Sequence, residues 1–436
     1  MATSAIETFL HQLDPTVIRP GLERIRHLLE ALDNPEAHLK AVLIAGTNGK
    51  GSVAACLSSI LTASGARVAT YTSPHLRRIN ERISINGKPI TQKTLMRHFR
   101  RVKNALAKVG EATYFEFVTA LAFDYFGRVG PDLAVLEVGL GGRWDAVNVV
   151  EPQMCMITPI GLDHTDLLGS RLEAVAAEKA AIVRPGRPVV CGRQPGPALQ
   201  VVEAVCRERR APLSLLGRAF RLRRGASTEE GQRFTYMEAG LKLEDLFLPL
   251  LGAHQADNAA CAVRAYRHLC QEGWMAWSGE AVQAGLAAVR LEGRLQVLSR
   301  NPLVVVDGAH NEMAALALAD AVRARWPRRP LTLVFGVLED KDYRRMARAL
   351  FPLAARVVFV PVSSVPERSA DPTDVASKIG GGRGRDLMVA PDLRTALGVA
   401  LEELPDDGLC LIAGSFYLAG EAIALVEETF SAHLAR

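Results

Sequence analysis

Residues 41–63 read AVLIAGTNGKGSVAACLSSILTA: an apolar run, then glycines with a lysine and a hydroxyl, then a helical pattern. The opening run is short, fully apolar and partly β-branched, which is the signature of a buried strand, and residues 52–63 form a helix. Between them GTNGKGS (46–52) places glycines at 46, 49 and 51, freeing the backbone to turn tightly and aim amide groups at an anion on the helix N-terminus. Strand, glycine loop and helix in that order make a phosphate cradle. In it Lys50 is expected to meet the β and γ phosphates of ATP, and the Ser52 hydroxyl a Mg²⁺ ion.

The same strand signal recurs outward at 132–142 (DLAVLEVGLGG), 154–164 (MCMITPIGLDH), 302–311 (PLVVVDGAHN), 331–342 (LTLVFGVLEDKD) and 409–416 (LCLIAGSF). Amphipathic stretches at 52–63, 172–183 and 311–326 lie between such runs. Strand alternating with helix predicts an α/β fold with parallel sheets covered on both faces and ligands at the C-terminal strand ends. Residues 205–250 break the rhythm: an Arg-rich stretch expected to be a solvated rim leads into a hairpin or surface meander, read as lying outside the core. A second strand series begins near Leu303. The expected organisation is a P-loop-type parallel-sheet ATPase domain over 1–295, followed by a smaller Rossmann-like α/β domain over 296–436.

Composition narrows the function. The chain has 436 residues, 49% hydrophobic and 23% charged, as in an ordinary folded enzyme. A net charge of +5 from 52 basic and 47 acidic residues is too small for a dedicated nucleic-acid binder, but suits small anionic substrates. No apolar run approaches the roughly 20 residues that cross a bilayer, and the opening MATSAIETFLHQLD has no signal-peptide pattern. The expectation is a cytoplasmic monomer with no membrane or nucleic-acid partner. Seven scattered cysteines without a C-x-x-C pair are read as small buried hydrophobes rather than disulfides or a zinc site.

Other strand ends carry candidate metal ligands: Ser73 in TSPHL, Glu137 in LEVGLGG and His164 in GLDHTD. Glu137 interrupts an apolar run, where a carboxylate needs a cation or donors to meet it; a buried ion pair is the plainer alternative. Ser73 before Pro74 also reads as a helix cap, and His164 as an ordinary strand-end histidine. Two Mg²⁺ ions held this way would have little anionic protein charge around them. Lys179 in AAEKAAIV sits on a helix whose apolar face packs inward; desolvation there would yield a neutral amine able to take up CO₂ as a carbamate. A surface lysine paired with Glu178 or Glu173 is the other reading.

GTNGKGS, TSPHL, ERISING, TYFEF, LEVGLGGRWDAVN, GLDHTD, EKAAI, HQADNAACA, DGAHN, FGVLEDKD and GSFYLAGE, taken in this order, closely resemble the folylpolyglutamate synthase/dihydrofolate synthase family of Mur-type ATP-dependent amide ligases. The resemblance implies that Gly46, Thr47, Asn48, Gly49, Lys50, Gly51 and Ser52 bind ATP phosphates, with Asn258, Arg294, Asp307 and His310 as further ATP contacts. It implies magnesium at Ser52, Ser73, Glu137 and His164, and a carbamylated Lys179; Lys50, Lys179 and His164 are the catalytic candidates. Thr113, Tyr114, Phe115, Glu116, Trp144, Asp145 and Ala146 fall on segments contacting dihydropteroate, and Ser415 and Tyr417 on a segment near the incoming glutamate. Tyr114, Phe115 and Phe117 also read as core packing residues, and Asp145 as an acid for pterin ring nitrogens. The pattern departs from the family at Trp144-Asp145, at Glu292-Gly293-Arg294 and at Arg19.

The implied activity is ATP-dependent addition of L-glutamate to dihydropteroate, to the γ-carboxylate of reduced folates, or to both, through an acyl phosphate. A folylpolyglutamate synthase alone, or a Mur-type ligase for another carboxylate, is the alternative. A ligase for a UDP-linked precursor is expected to carry an additional N-terminal domain ahead of the phosphate loop. A P-loop switch protein has no need of the second strand series.

Overall fold

The computed structural model describes residues 2–13, 17, 19–379 and 386–434. Eight strands, β1 (Ala41–Ala45), β2 (Val68–Tyr71), β3 (Ile83–Ile85), β4 (Lys88–Pro89), β5 (Leu133–Glu137), β6 (Pro152–Ile157), β7 (Val189–Cys191) and β8 (Leu213–Leu215), form one sheet ordered β4-β3-β2-β5-β1-β6-β7-β8. It is parallel from β2 to β8, with β3 and β4 antiparallel at one edge. β1 lies at its centre, flanked by β5 and β6.

Every residue of β1 is buried because both faces are covered. Ala41, Leu43 and Ala45 face a core with helices Glu23–Glu30, Gln92–Val109 and Tyr114–Val129. Val42 and Ile44 face the other, with helices Lys50–Ala63, Ala253–Gln271 and Gly279–Ala288. The antiparallel strands β9 (Phe220–Thr228), β10 (Gly231–Glu238) and β11 (Leu241–Leu248) make the expected meander. Two corrections apply to 205–250. One meander face belongs to the core, through Phe220, Phe234, Tyr236, Leu246 and Leu248, because alternate strand residues point inward. The stretch also contributes β8 to the main sheet. Its Arg221, Arg223 and Arg224 are exposed, as a solvated rim requires.

The second sheet comprises β12 (Gln296–Arg300), β13 (Leu303–Val306), β14 (Leu331–Phe335), β15 (Arg356–Phe359), β16 (Asp386–Val389) and β17 (Leu409–Ala413), ordered β12-β13-β17-β14-β15-β16 and parallel except for β12. Its residues also alternate between two cores, with Val305 and Leu411 on one side and Val304 and Ile412 on the other. Six cysteines are buried and Cys270 is half-buried; all seven are free. No helix among the described residues is long and apolar enough to cross a membrane.

Among the described residues, side-chain polar contacts join the two halves at three places, and Leu251 and Leu76 of the first half pack against the cores of the second. Asn48 Nδ2 donates to Asn311 Oδ1 at 3.0 Å, and Lys341 Nζ to Asp163 Oδ1 at 2.8 Å. Arg77 reaches Glu292 at 2.7 Å and Glu427 at 2.6 Å. Glu229, at the β9–β10 turn, pairs with Arg300 and with Arg325.

Candidate active site

The loop 46–49 leaves the end of β1 and enters helix Lys50–Ala63. Gly46 has φ +147, and a Cβ there would lie 1.9 Å from Thr158 Oγ1; Gly49 has φ +86, with Asn258 Oδ1 2.7 Å from a Cβ. Both positions therefore exclude a side chain. The Thr47 and Asn48 amides donate to the Pro159 carbonyl at 3.0 and 3.2 Å, and Thr47 Oγ1 donates to the Gly161 carbonyl at 2.9 Å. The loop is thus pinned to the segment after β6. Lys50 Nζ donates to Thr47 O at 3.1 Å. Ser52 is buried in the first turn, where helix amides and dipole favour an anion.

Glu137, the last residue of β5, is 3% exposed and closes on this turn: a Cβ on Gly51 would be 3.5 Å from its Oε2. Burial raises its pKa, opposed by the Lys50 charge, the Ser73 amide and the charges of Arg294 and Arg82. Ser73 N donates to Glu137 Oε2 at 3.2 Å. The cap reading of Ser73 is corrected. No helix starts at Pro74: the chain runs as a loop to the short turn Ile79–Arg82, and the amides of Leu76, Arg77 and Arg78 are taken by the Glu81 carboxylate instead of by helical carbonyls.

Lys179 lies on helix Leu172–Ala180, shorter than the expected 172–183, and is 5% exposed, which removes the surface reading. Its Nζ donates to Gly46 O at 2.8 Å. Burial and then the Lys50 charge lower its pKa from 10.5 to about 7, so a substantial neutral fraction exists near neutrality. His164 stands at φ +50 after β6, with its pKa lowered to about 4 by burial and by Lys341. Among the described residues no three His, Cys, Asp or Glu side chains gather as a metal cluster, so a cation here needs hydroxyl or added oxygen ligands.

An aromatic wall stands beside the loop. Thr113 and Glu116 form the capping box of helix Tyr114–Val129, and Glu116 pairs with Arg24 at 3.0 Å, so both side chains have structural partners. Phe115 lies 6.0 Å from Tyr71 and against Gly139, while Phe117 is fully buried core. Asp145 is buried and accepts from the Leu140 and Val147 amides; burial lifts its pKa to about 6. Ala146 is buried after it, whereas Trp144 is 51% exposed at the rim. Arg19 pairs with Glu111 on the surface.

The second sheet brings its strand ends to the same place. Asp307, after β13, accepts from the Leu295 and Ala309 amides at 2.7 and 2.8 Å. Arg294 lies 3.9 Å over the Phe416 ring, and His310 is 5.2 Å from that ring. Asn258 rises from helix Ala253–Gln271 to Gly49. Ser415 Oγ accepts from Tyr417 N at 3.1 Å, and Tyr417 lies under Arg368, so these two side chains are engaged within their own sheet.

Four residues at the centre went unassigned in the sequence: Asp163, Asn311, Lys341 and Arg82. Asp163 accepts from Lys341 at 2.8 Å and Asn311 at 3.0 Å, with His310 at 3.7 Å. Burial opposes its ionisation, but Lys341, His164 and His310 hold the carboxyl well below the usual range. The signal was present in GLDHTD, DGAHN, FGVLEDKD and ERISING, whose charged residues follow apolar runs or flank strands.

Residues 44–266 match the Mur ligase middle domain and residues 293–416 the Mur ligase glutamate ligase domain. The Bacillus subtilis dihydrofolate synthase/folylpolyglutamate synthase is 36% identical over 371 residues, covering 83% of this chain and 86% of that protein. Mycobacterium tuberculosis folylpolyglutamate synthase complexed with ADP and AMPPCP superposes with a TM-score of 0.91 at 34% identity, over 98% of both chains. Escherichia coli FolC in complex with DHPP and ADP gives 0.87 at 29% identity, again over 98% of both. A phosphate loop bracketed by two parallel sheets, with these likenesses along nearly its whole length, places the chain in the dihydrofolate synthase/folylpolyglutamate synthase family of Mur ligases, which are ATP-dependent ligases.

Proposed function

We propose that this chain adds L-glutamate to dihydropteroate and to the γ-carboxylate of reduced folates, releasing ADP and phosphate, with residues 1–295 as the ATP-binding unit and 296–436 as the glutamate-ligase unit. The observation that carries the reading is the direct contact of the phosphate loop with the second sheet. Asn48 meets Asn311 at the cap of helix Glu312–Arg325, and Lys341 crosses to Asp163. Reactants held from opposite sides can then be brought together over Lys50.

A carboxylate resists attack by an amine because its charge repels the nucleophile and oxide is a poor leaving group. Transfer of the γ-phosphoryl of ATP to one carboxylate oxygen breaks the bond to the β-phosphate oxygen and leaves ADP. The amino group of glutamate then attacks the acyl carbon, phosphate departs with the C–O bonding pair, and the nitrogen loses its proton. No protein nucleophile is needed, so the protein's part is positioning and charge. Gly46, Thr47, Asn48, Gly49, Lys50, Gly51 and Ser52 hold the phosphates, and Lys50 offsets charge on the phosphoryl in flight. Asn258, Arg294, Asp307 and His310 take the rest of the nucleotide. Thr113–Glu116 and Trp144–Ala146 frame the acid, and Ser415 and Tyr417 the glutamate side.

The donor set suits Mg²⁺: Ser52, Ser73 and Glu137 offer oxygen, and His164 a neutral nitrogen. Bound magnesium would shield the triphosphate charge. Glu137 alone supplies little negative charge. The Lys179 amine, partly neutral near pH 7, can add CO₂ with loss of a proton to give a carbamate, placing a second anion beside Gly46. The test is a substrate panel: ADP release with ATP and magnesium, using dihydropteroate or tetrahydrofolate, each with and without glutamate. ADP formed only when acid and glutamate are both present, mole for mole with a new amide, supports the reading. Hydrolysis indifferent to both refutes it.

A further inference from the structure

Arg82 closes the short turn Ile79–Arg82 and is 7% exposed. Its Nε donates to His75 Nδ1 at 2.8 Å, and its guanidinium lies 5.6 Å from the Tyr114 ring centroid. Among the described residues no carboxylate stands within salt-bridge distance of it, and no protein acceptor meets Nη1 or Nη2. Of the other sheltered arginines, Arg294 likewise makes no salt bridge among the described residues and stands at the nucleotide side of the same site. Arg24 and Arg264, by contrast, with side chains 18% and 14% exposed, reach carboxylates at 3.0 and 2.7 Å. A buried guanidinium without an anion is costly to keep, so its counter-charge is expected from a ligand.

The position says which ligand. On one side of Arg82 is the aromatic wall, Tyr114 with the adjoining Phe115 and Tyr71. Glu137, which abuts the first turn after the phosphate loop, is near enough to feel the Arg82 charge. A planar aromatic acid lying on that wall presents its carboxylate toward the loop, and a guanidinium fork binds a carboxylate in two parallel hydrogen bonds. We propose that Arg82 is the binding residue for the reacting carboxylate of the acceptor acid, orienting one oxygen toward the γ-phosphoryl, with His75 fixing the fork through Nε. This rests on the reading under Proposed function and adds the group that selects a free acid.

The test compares equilibrium binding of dihydropteroate and of its methyl ester, which keeps the ring system and removes the charge, in wild type, Arg82→Gln and Arg82→Lys. Wild type is expected to prefer the acid. Arg82→Gln weakens acid binding by about tenfold to a hundredfold, the range for a charge-assisted pair, and ester binding by less than about threefold. Arg82→Lys, which keeps the charge without the fork, falls between. ADP binding stays within about twofold, showing that the variants are folded. Equal losses for acid and ester, or a full acid preference in Arg82→Gln, overturns the assignment while leaving the ligase reading intact. Wild type that binds neither compound overturns both.

Discussion

Lys179→Met is expected to stabilise the nucleotide-free protein while abolishing ligation. The wild-type amine is buried against the Gly46 carbonyl, and burial together with Lys50 brings its pKa from 10.5 to about 7. The unfolded chain keeps its proton up to 10.5, whereas the folded one gives it up above about 7. Between those values the unfolded state binds more protons, so wild-type stability rises with pH. Below about 7 the cost is constant and largest, on the order of 5 kcal/mol. Methionine, of similar length, carries no such cost but forfeits the hydrogen bond to Gly46, about 1 kcal/mol. The net gain is about 3 kcal/mol at pH 7 and fades to about zero near pH 9.5. Urea-unfolding midpoints of both proteins at the two pH values, in CO₂-free buffer without nucleotide, read it directly, with glutamate-dependent ADP release measured alongside. A midpoint difference that does not change with pH would refute the buried-amine argument, and retained ligation its link to function.

Gly49→Ala forces a left-handed alanine at φ +86 with its Cβ 2.7 Å from Asn258 Oδ1; it should cost about 1–2 kcal/mol and weaken ADP binding, and a wild-type calorimetric titration would contradict this. Glu137→Gln removes the buried carboxylate beside the phosphate loop, so the magnesium concentration for half-maximal rate should rise at least about tenfold; an unchanged titration would make that carboxylate purely structural. Asp163→Asn removes the nearer of two carboxylates from buried Lys341 and leaves it only Asp340 at 3.6 Å, at a cost of about 2 kcal/mol, the range for a hydrogen bond to a charged group. Because the Asp163 pKa is depressed, its contribution is present above about pH 4 and is lost as pH falls further, so the acid limb of the stability curve should flatten in the variant. An acid limb of wild-type slope would count against it.

Much of the site was readable because glycine and charge are conspicuous in apolar strands. The stretch 41–52 fixed β1, its loop and the following helix, and Glu137 stood out as the charged residue ending an apolar run. The strands β2, β7 and β8 were harder, since three or four residues give too little periodicity to count. Ser73 misled because Ser-Pro has the local chemistry of a helix start, while the amides that follow are taken by Glu81 and its own by Glu137, 64 residues away. Lys341 and Arg82 stood in strings already marked as characteristic. Their roles depend on what lies across a cleft, and pairings 178 residues apart, such as Lys341 with Asp163, leave no trace in local spacing.

The three junctions between the sheets, at Asn48–Asn311 with Asp163–Lys341, at Arg77, and at Glu229, are built from separate stretches of chain. Two bodies fastened at one point swivel freely, and at two points they still turn about the line between them. A third fastening adds a further restraint, and parting the halves breaks polar contacts at all three. Since one of the three is the phosphate loop itself, a ligand that rearranges that loop also acts on the seam where Asn48 meets Asn311.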